Sequence, residues 1–476
     1  GAAARRMSAR LSSLACALLL AGCMVGPDYE RPAMDLPNAY PEQDAGATAR
    51  LPSDWWKLYG DPTLDDLVAS ALERNADVRL AVARIEEADA NLRAARAAFL
   101  PEIDLGGNAN RTRSSTTTVL PLPPGIPAIR NDVRLALSTS FELDFWGRLR
   151  RGVESVRAQM LATRYAKDVV ALTLAGLTAQ TYFALRSLDA QIIVTRETLV
   201  NREESLAYVR ARAKGGIASE LEVAQAEGAR ADIATQLKDL ERQRALFEHQ
   251  LATFTGRLDL KLADGDLRTL PMPALPPADL PSTLLERRPD IQEAEQQLVS
   301  ANAQIGVAKA AMFPTISLTG FAGGESATLS TLLNNRGSGI WSVGFGLNLP
   351  IFDAGRYRAL TDAAIARQHQ AVAGYQKAVE TGFREVADAL TTVRLTSSSE
   401  EDYQASVDAA HRALRLSRRR YEAGYSPFLE VLDAQRTANL TELAALRNRQ
   451  SLLSATVDLM KALGGGWTAD QVSMKP

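Results

Sequence analysis

Cysteine and histidine, two residue types that often act as nucleophiles, proton carriers or metal ligands, are scarce in this 476-residue chain. The chain has two cysteines, Cys16 and Cys23, and three histidines that lie far apart, His249, His369 and His411. No HExxH zinc motif occurs, and neither the GxGxxG nor the GxxxxGKS/T nucleotide-binding motif is present. Two cysteines are too few for a disulfide scaffold or a cysteine-rich zinc site. We therefore predict that the protein is not an enzyme and holds no metal ion or cofactor.

Cys23 is the one side chain whose surroundings in the sequence indicate a covalent modification. Three arginines precede the apolar stretch 11–21, which is too short to span a bilayer and has the layout of a secretory signal. The stretch ends in Leu20-Ala21-Gly22-Cys23, which resembles the bacterial lipobox. That motif implies a signal peptide at 1–22, cleavage before Cys23, and a covalent lipid on Cys23 made of a diacylglycerol thioether and an N-acyl chain. A plain signal peptide with an incidental cysteine, or a buried helix, is the alternative.

Charge and hydropathy exclude two broad classes of protein. Lysine and arginine number 54 and aspartate and glutamate 56, so the net charge of −2 argues against charge-driven binding of nucleic acid. Beyond residue 22 no run of 18 apolar residues occurs, which excludes a helical membrane protein. Hydrophobic residues make up 46% of the chain, enough for a sizeable core.

Most of the chain consists of two copies of one sequence unit. Leu72-Glu73-Arg74-Asn75-Ala76-Asp77 corresponds to Leu285-Glu286-Arg287-Arg288-Pro289-Asp290 at an offset of 213. Further on, at an offset of 208, Leu221-Glu222-Val223 corresponds to Leu429-Glu430-Val431. A proline-rich linker joins the two copies. Because a repeat of this kind determines the whole architecture, we predict an internal two-fold repeat in the fold.

Each copy has the pattern of a helix, two strands, a very long helix and a further helix. The predicted helices span 72–100, 147–212 and 217–256 in the first copy, and 285–313, 355–421 and 425–463 in the second. At 1.5 Å per residue, each long helix is about 100 Å long. The two shorter helices of a copy, placed end to end, match that length, which is typical of a tall tube wall. An ordinary dimeric coiled coil is the alternative that periodicity leaves open.

Two segments, 133–145 and 341–351, alternate apolar and polar residues with a period of two. Their length and pattern are typical of transmembrane β-barrel strands, although a sheet packed one-sidedly on a core is an alternative. With the strands that follow Pro101 and Pro314, each chain has four. A barrel needs about eight strands or more to close, and lipid does not tolerate an open sheet edge. The strand count therefore predicts an oligomer, in which two copies would give eight strands and three would give twelve.

Over its whole mature length the sequence resembles the TolC/OprM-like outer-membrane factors, specifically the lipidated branch paired with resistance–nodulation–division efflux pumps. The resemblance is carried by motifs spread along the chain: Cys23-Met24-Val25-Gly26-Pro27-Asp28-Tyr29, Trp55-Trp56-Lys57-Leu58-Tyr59-Gly60-Asp61-Pro62, Leu143-Asp144-Phe145-Trp146-Gly147-Arg148, Phe352-Asp353-Ala354-Gly355-Arg356, Tyr421-Glu422-Ala423-Gly424, Leu432-Asp433-Ala434-Gln435 and Ala462-Leu463-Gly464-Gly465-Gly466-Trp467. It implies a mixed fold: a homotrimer whose twelve strands form a β-barrel in the outer membrane, above a long α-helical barrel that crosses the periplasm. Met24 after the cysteine, rather than aspartate, likewise points to the outer membrane.

The resemblance also implies a division of the chain. After the signal peptide, residues 23–61 form a lipidated N-terminal extension that reaches an equatorial belt. Residues 62–270 form the first outer-membrane efflux repeat and 283–464 the second. The proline-rich linker 271–282 and the C-terminal tail 465–476 also lie at the belt.

The implied function is a passive exit duct for a tripartite small-molecule efflux system. A periplasmic adaptor protein would open the duct at its periplasmic tip, and an inner-membrane resistance–nodulation–division pump would drive transport. Besides these partners and further copies of the chain, we expect contact with outer-membrane lipid and none with nucleic acid. The alternatives are the exit duct of a type I protein secretion system and a structural periplasmic lipoprotein without a pore.

The gate is expected near two glycine turns, at Gly216 and Gly424, which the resemblance assigns to the periplasmic tips. Leu429, Glu430 and Asp433 lie just beyond the second turn and share one side of a helix. In a trimer they would form an apolar ring and a carboxylate ring, which restrict a pore and slow anions. The alternative for both acids is a favourable position at a helix N-terminus.

A closed-state latch is expected beside the same turns. Arg420 and Tyr421 precede the second turn, and the family pattern pairs them with an acid of the first copy, which would be Glu222. Ser219 and Glu222 also form an S-x-x-E capping box, which accounts for the glutamate locally. The sequence leaves these two roles of Glu222 open.

Overall fold

The computed structural model describes residues 24–41, 51–117, 122–275, 281–334 and 336–468. The signal peptide at 1–22 and the predicted lipidation site Cys23 lie outside the described residues, as do parts of the linker and of the C-terminal tail. The chain divides into two compact units. Unit 1 comprises Gly1–Pro32, Ile85–Ala162 and Ala294–Tyr375, and unit 2 comprises Ala33–Arg84, Thr163–Glu293 and Gln376–Pro476.

The elements of the first half and of the second half follow the same order. The first half contains α1 (Pro62–Arg74), α2 (Ala76–Ala97), β1 (Glu102–Arg113), β2 (Ile129–Leu143), α3 (Arg148–Lys214) and α4 (Glu220–Thr255). The second half contains α5 (Leu284–Arg287), α6 (Pro289–Ala310), β3 (Thr315–Ser326), the short α7 (Leu329–Asn334), β4 (Gly339–Asn348), α8 (Arg356–Glu422) and α9 (Phe428–Ala462). Helices α3 and α8 each have 67 residues, about 100 Å at 1.5 Å per residue.

The prediction of one helix over 72–100 is wrong at its start. Helix α1 begins at Pro62 behind its N-cap Asp61, whose side chain accepts a hydrogen bond from the Thr63 N–H at 2.8 Å. The chain then becomes extended at Asn75, whose side chain accepts from the Asp77 N–H at 2.8 Å and so caps α2. Residue 288, the counterpart of Asn75, is also extended because a proline follows it, and there α5 ends.

The four strands form one antiparallel sheet in the order β1-β2-β3-β4 within unit 1. Strands β1 and β3 begin directly after Pro101 and Pro314, as predicted. Strand β2 pairs with β1 from Ser140 opposite Glu102 to Ile129 opposite Arg113. On its other side, β2 pairs with β3 from Val133 opposite Ser326 to Leu143 opposite Ile316. The strand pair β2–β3 therefore joins the two halves of the chain.

One face of the sheet presents unburied apolar side chains. In β4 the apolar residues of the predicted alternation are more than 60% exposed; they are Trp341, Val343, Phe345 and Leu347. Every residue of β1 is exposed as well. A one-sided sheet packed on a core would bury such a face, so the exposure of the apolar side chains argues against that alternative.

In unit 1 the segment after residue 23 packs tightly against helix ends. The N–H of Val25 donates to the carbonyl of Trp146 at 3.1 Å, and Met24 contacts Gly147. Asp28 accepts a hydrogen bond at 2.6 Å from the guanidinium of Arg151, a side chain only 2% exposed. This segment is thus fixed at the junction where β2 passes into α3.

The main apolar core lies in unit 2. It contains apolar residues of α4 and α9, among them Leu251, Leu443, Leu453 and Val457. Arg244 of α4 donates hydrogen bonds to Asp189 at 2.6 Å and to the Leu262 carbonyl at 2.9 Å. This arginine therefore anchors the loop after α4.

One described helix, α3, contains an 18-residue window with mean hydropathy 1.3 and at most two charged residues, of which 56% is buried. A single window of this kind is weak evidence for a membrane span, because a buried core helix reaches the same value.

Candidate functional site

The predicted gate, latch and tip residues lie in two helical hairpins, whose turns both belong to unit 2. Hairpin A joins α3 to α4 through Gly216, and hairpin B joins α8 to α9 through Gly424. Both glycines have positive φ, +76° and +78°, which glycine adopts without strain. At each turn the backbone makes the same helix-ending hydrogen bonds, from Gly216 N–H to the Ala213 carbonyl and from Gly424 N–H to the Tyr421 carbonyl. The two tip turns thus have matching local structures.

The three predicted gate residues lie together in the first two turns of α9. Leu429 and Asp433 are exposed, and Glu430 is partly buried. Each carboxylate has an arginine partner in the same chain: Glu430 meets Arg420 at 3.0 Å, and Asp433 meets Arg436 at 2.8 Å. The structure therefore brings the apolar and acidic gate residues onto one exposed side of the helix, with part of their charge neutralised.

The latch residues have the following partners within the chain. Arg420 pairs across the turn of its own hairpin, with Glu430. Glu222 completes the capping box, accepting from the Ser219 N–H at 3.1 Å while Ser219 Oγ accepts from the Glu222 N–H at 3.3 Å. The structure does not bring Arg420 and Glu222 together within one chain, and their pairing in a latch stays a prediction.

Tyr421 lies in an apolar cluster that connects the hairpins, and sequence reasoning missed most of its members. The buried residues of the cluster are Leu206, Val209, Ala226, Tyr421, Phe428 and Val431. Burial raises the pKa of the Tyr421 hydroxyl, as does the nearby charge of Glu222, while Arg212 lowers it. Tyr421 Oη is buried and has no hydrogen-bond partner among the described residues.

Arg212 is the functional candidate that the sequence did not reveal. Its guanidinium carbon lies 5.0 Å from the ring centroid of Tyr421 and 5.7 Å from that of Tyr208. The two rings meet edge to face at 6.4 Å. The one sequence signal was the offset of 208, which makes Arg212 the counterpart of the latch residue Arg420.

Polar side chains connect the hairpins further from the turns. Arg202 of α3 donates to the side-chain oxygen of Gln435 in α9, and Gln435 in turn donates to Ser205 Oγ at 3.3 Å. Asn439 donates to Gln236 of α4 at 3.3 Å. Burial lowers the pKa of Arg202, with a smaller contribution from the charge of Arg418. Gln435, part of the Leu432-Asp433-Ala434-Gln435 motif, is therefore an internal polar contact.

Metal binding has no candidate in the part of the chain that the structure describes: no three side chains of histidine, cysteine, aspartate or glutamate converge there as metal ligands.

Comparison with known proteins agrees with this architecture. The family model for outer membrane efflux proteins matches twice, at residues 67–257 and 280–465. The solvent efflux pump outer membrane protein SrpC of Pseudomonas putida is 37% identical over 472 residues, covering 95% of this chain and 97% of its own. Outer membrane protein OprJ of Pseudomonas aeruginosa is 36% identical over 477 residues, covering 97% of each chain. The crystal structure of the open state of the Neisseria gonorrhoeae MtrE outer membrane channel has a TM-score of 0.82 at 30% identity, covering 93% of this chain and 98% of that one.

The chain belongs to the outer membrane efflux protein family. It is an efflux channel of the outer membrane that extends into the periplasm, and the predicted resemblance, function and location are confirmed. The family is one of channels rather than of enzymes.

Proposed function

We propose that this chain assembles as a homotrimer and forms the exit duct of a tripartite efflux system. Efflux channels of the outer membrane work with a periplasmic adaptor and an inner-membrane pump. The adaptor would contact the tips of hairpins A and B, and a resistance–nodulation–division pump would supply the energy. The name of SrpC, a solvent efflux pump outer membrane protein, favours efflux over protein export.

The sheet supports assembly from several copies of the chain. Among the described strands, β1 and β4 pair on one side only. Lipid leaves unpaired backbone groups unsatisfied at a cost of several kcal/mol each, so both edges must be covered. Pairing β1 of one copy with β4 of the next closes a barrel of twelve strands when three copies meet, and the exposed apolar residues of β4 then face lipid.

The arrangement of Leu429, Glu430 and Asp433 is the observation that supports the gate. The three residues project from the start of α9 beside an exposed turn. Three copies of each give an apolar ring and a carboxylate ring, which restrict the pore and slow anions. Arg420 and Tyr421 hold the closed state as a latch, with Glu222 of hairpin A as their partner. Binding of the adaptor would break these contacts, and substrate would then pass without energy input from the channel.

Single-channel recording in planar bilayers tests the gate with Glu430→Ala combined with Asp433→Ala. We expect a higher closed-state conductance and a weaker preference for cations. The matched control is Glu401→Ala with Asp402→Ala, two exposed acids of α8 that lie more than 20 residues before Gly424. An unchanged closed state would remove the gate assignment, and a protein that conducts in no variant would favour a lipoprotein without a pore.

Cys23 is proposed to carry the covalent lipid. The fixed position of Met24 and Val25 at the junction of β2 and α3 supports this, because the strands are the proposed membrane part. Mass spectrometry of the mature N-terminus is expected to find a diacylglycerol thioether and an N-acyl chain, both lost in Cys23→Ser. An unmodified cysteine, or cleavage at another residue, would refute the proposal.

A further inference from the structure

We propose that Arg212 is a positioning residue that clamps hairpin A to hairpin B within one protomer, holding the gate closed by binding the face of Tyr421. This inference rests on the proposed gate in α9. According to this inference, a residue in the first half of the chain controls the position of the gate residues in the second half. The clamp differs from the latch described above, which joins Arg420 and Tyr421 to Glu222.

The guanidinium of Arg212 lies against two aromatic rings from different hairpins. It lies over Tyr208, four residues earlier in α3, and over Tyr421 near the end of α8. Nη1 donates to Tyr208 Oη at 3.3 Å, which orients the guanidinium. Nε is buried and has no acceptor among the described residues. An arginine placed in this way gains from the negative face of each ring.

Tyr421 is the buried partner of this contact. It is 6% exposed, and its ring lies 5.2 Å from the ring of Phe428 in α9. Val209 of α3 and Val431 of α9 belong to the same buried cluster. Cation–π attraction rises as the partners lose water, and here the ring is the partner that has lost it. The clamp therefore acts on the first turn of α9, where the gate residues begin.

Comparison of positions 208 apart explains why only Arg212 can act in this way. Its counterpart Arg420 is engaged by Glu430 inside hairpin B. Glu222, the counterpart of Glu430, is engaged in the capping box, and Arg212 has no ion pair with it in the described structure. Tyr421 corresponds to Ala213, so only hairpin B offers a ring at this position. The two hairpins thus have an arginine and a glutamate at equivalent positions. In hairpin B the arginine pairs with the glutamate, whereas in hairpin A the arginine contacts the tyrosine of the other hairpin.

Opening that moves hairpin B away from hairpin A must separate Tyr421 from Arg212. The variant Arg212→Ala removes the guanidinium and is expected to raise the closed-state conductance, whereas Arg212→Lys keeps a cation over the rings and should restore part of the closure. Arg210→Ala is the matched control. Arg210 lies two residues earlier in α3, is exposed, and pairs with Glu227 at 2.6 Å inside hairpin A.

Hydrogen–deuterium exchange separates the clamp from the gate. In Arg212→Ala we expect exchange to rise about tenfold at residues 417–431 of hairpin B, although the substitution is in hairpin A. Arg210→Ala should leave hairpin B unchanged. If hairpin B exchanges normally in Arg212→Ala, the clamp is wrong, whatever the Glu430 and Asp433 variants do. If exchange rises while conductance does not, the contact exists but does not hold the gate closed, and the proposed role of Arg212 is overturned, whereas the gate assignment of α9 is decided by the Glu430 and Asp433 variants.

Discussion

The sequence assigns Glu222 two roles, one in a capping box and one in the latch. Its carboxylate accepts a hydrogen bond from the Ser219 N–H, which fulfils the capping box. The negative charge of Glu222 also acts on Tyr421, where it contributes to the raised pKa of the hydroxyl. The capping role depends on a side-chain oxygen, whereas the latch depends on negative charge. The two roles can therefore be separated by a substitution that keeps the oxygen.

Glu222→Gln is expected to raise the closed-state conductance without lowering the thermal midpoint of unfolding. Glutamine preserves the capping box, since it also accepts from the N-cap N–H, but it removes the charge that the latch requires. Ser219→Ala is the matched control. It loses the cap, at a cost of about 1 kcal/mol, and keeps the charge. Equal conductance in Glu222→Gln and the unchanged protein would assign Glu222 to the cap alone.

Tyr182 predicts a pH dependence at alkaline pH. The side chain is 1% exposed and donates to Asp61 at 2.5 Å, while Arg186 Nε donates to it at 3.0 Å. Burial, followed by the hydrogen bond to Asp61, raises the pKa of Tyr182 to about 12. An unfolded tyrosine has a pKa of about 10, so the folded state binds this proton more tightly. The resulting stability is complete below pH 10 and is lost as the pH rises to about 12.

In Tyr182→Phe we therefore expect the thermal midpoint to fall less steeply between pH 10 and pH 12 than in the unchanged protein. The midpoint at pH 8 should be lower, because Asp61 loses its donor, at a cost of about 1–3 kcal/mol. Tyr425→Phe, at a side chain 81% exposed, is the control for general alkaline effects. Identical slopes for Tyr182→Phe and the unchanged protein would show that Tyr182 does not titrate in this window.

The packing of α9 on α3 depends on a polar contact within an apolar interface. Gln435, 4% exposed, accepts from the buried Arg202 and donates to Ser205. A buried guanidinium without an acceptor costs more than the hydrogen bond itself contributes. Gln435 therefore fixes how the gate helix sits against the long helix of hairpin A.

Gln435→Ala should lower the free energy of unfolding by about 1–3 kcal/mol, because Arg202 would remain buried without its acceptor. Gln435→Glu should recover most of this loss, since a carboxylate also accepts from Arg202 and neutralises it. Thr437→Ala, on the exposed side of the same helix, provides the baseline. Thermal unfolding in detergent, followed by circular dichroism, measures all three variants. A Gln435→Ala midpoint equal to that of Thr437→Ala would contradict this assignment.

The sequence predicted the helices and strands better than it predicted which of them contact one another. Period-two alternation located β2 and β4, and prolines located the starts of β1 and β3, because both signals act within one strand. The break at Asn75 was missed, since an asparagine that caps the next helix looks like any residue of a long helical pattern. The pairing of β2 with β3 and the contact of Arg212 with Tyr421 join residues of the two halves of the chain, far apart in sequence. Such partners are chosen by packing, which a local pattern does not encode.

For the whole molecule, the decisive feature is a sheet of four strands with two open edges. Among the described strands, β1 and β4 each have an unpaired side, and the apolar residues of β4 are exposed. An edge of this kind is a template for another strand, and inside a bilayer it must be paired. If the sheet lies in the bilayer, as we propose, it requires further copies of the chain, and the number of copies follows from the size of the barrel that closes.

A cysteine pair across the proposed β1–β4 contact measures that number. We expect Leu105→Cys in β1, combined in turn with Val343→Cys, Phe345→Cys or Leu347→Cys in β4, to give a disulfide between copies in one combination. The bond requires Cα atoms about 4.4–6.8 Å apart, so only the pair in the correct register forms it. Each single variant is the control. Non-reducing gels of the double variant should contain species of one, two and three chains and nothing larger. Native mass spectrometry of the protein without cysteine substitutions should give three copies. A ladder ending at two chains would instead mean a barrel of eight strands, in which the gate rings would have two members and the pore would be correspondingly narrower.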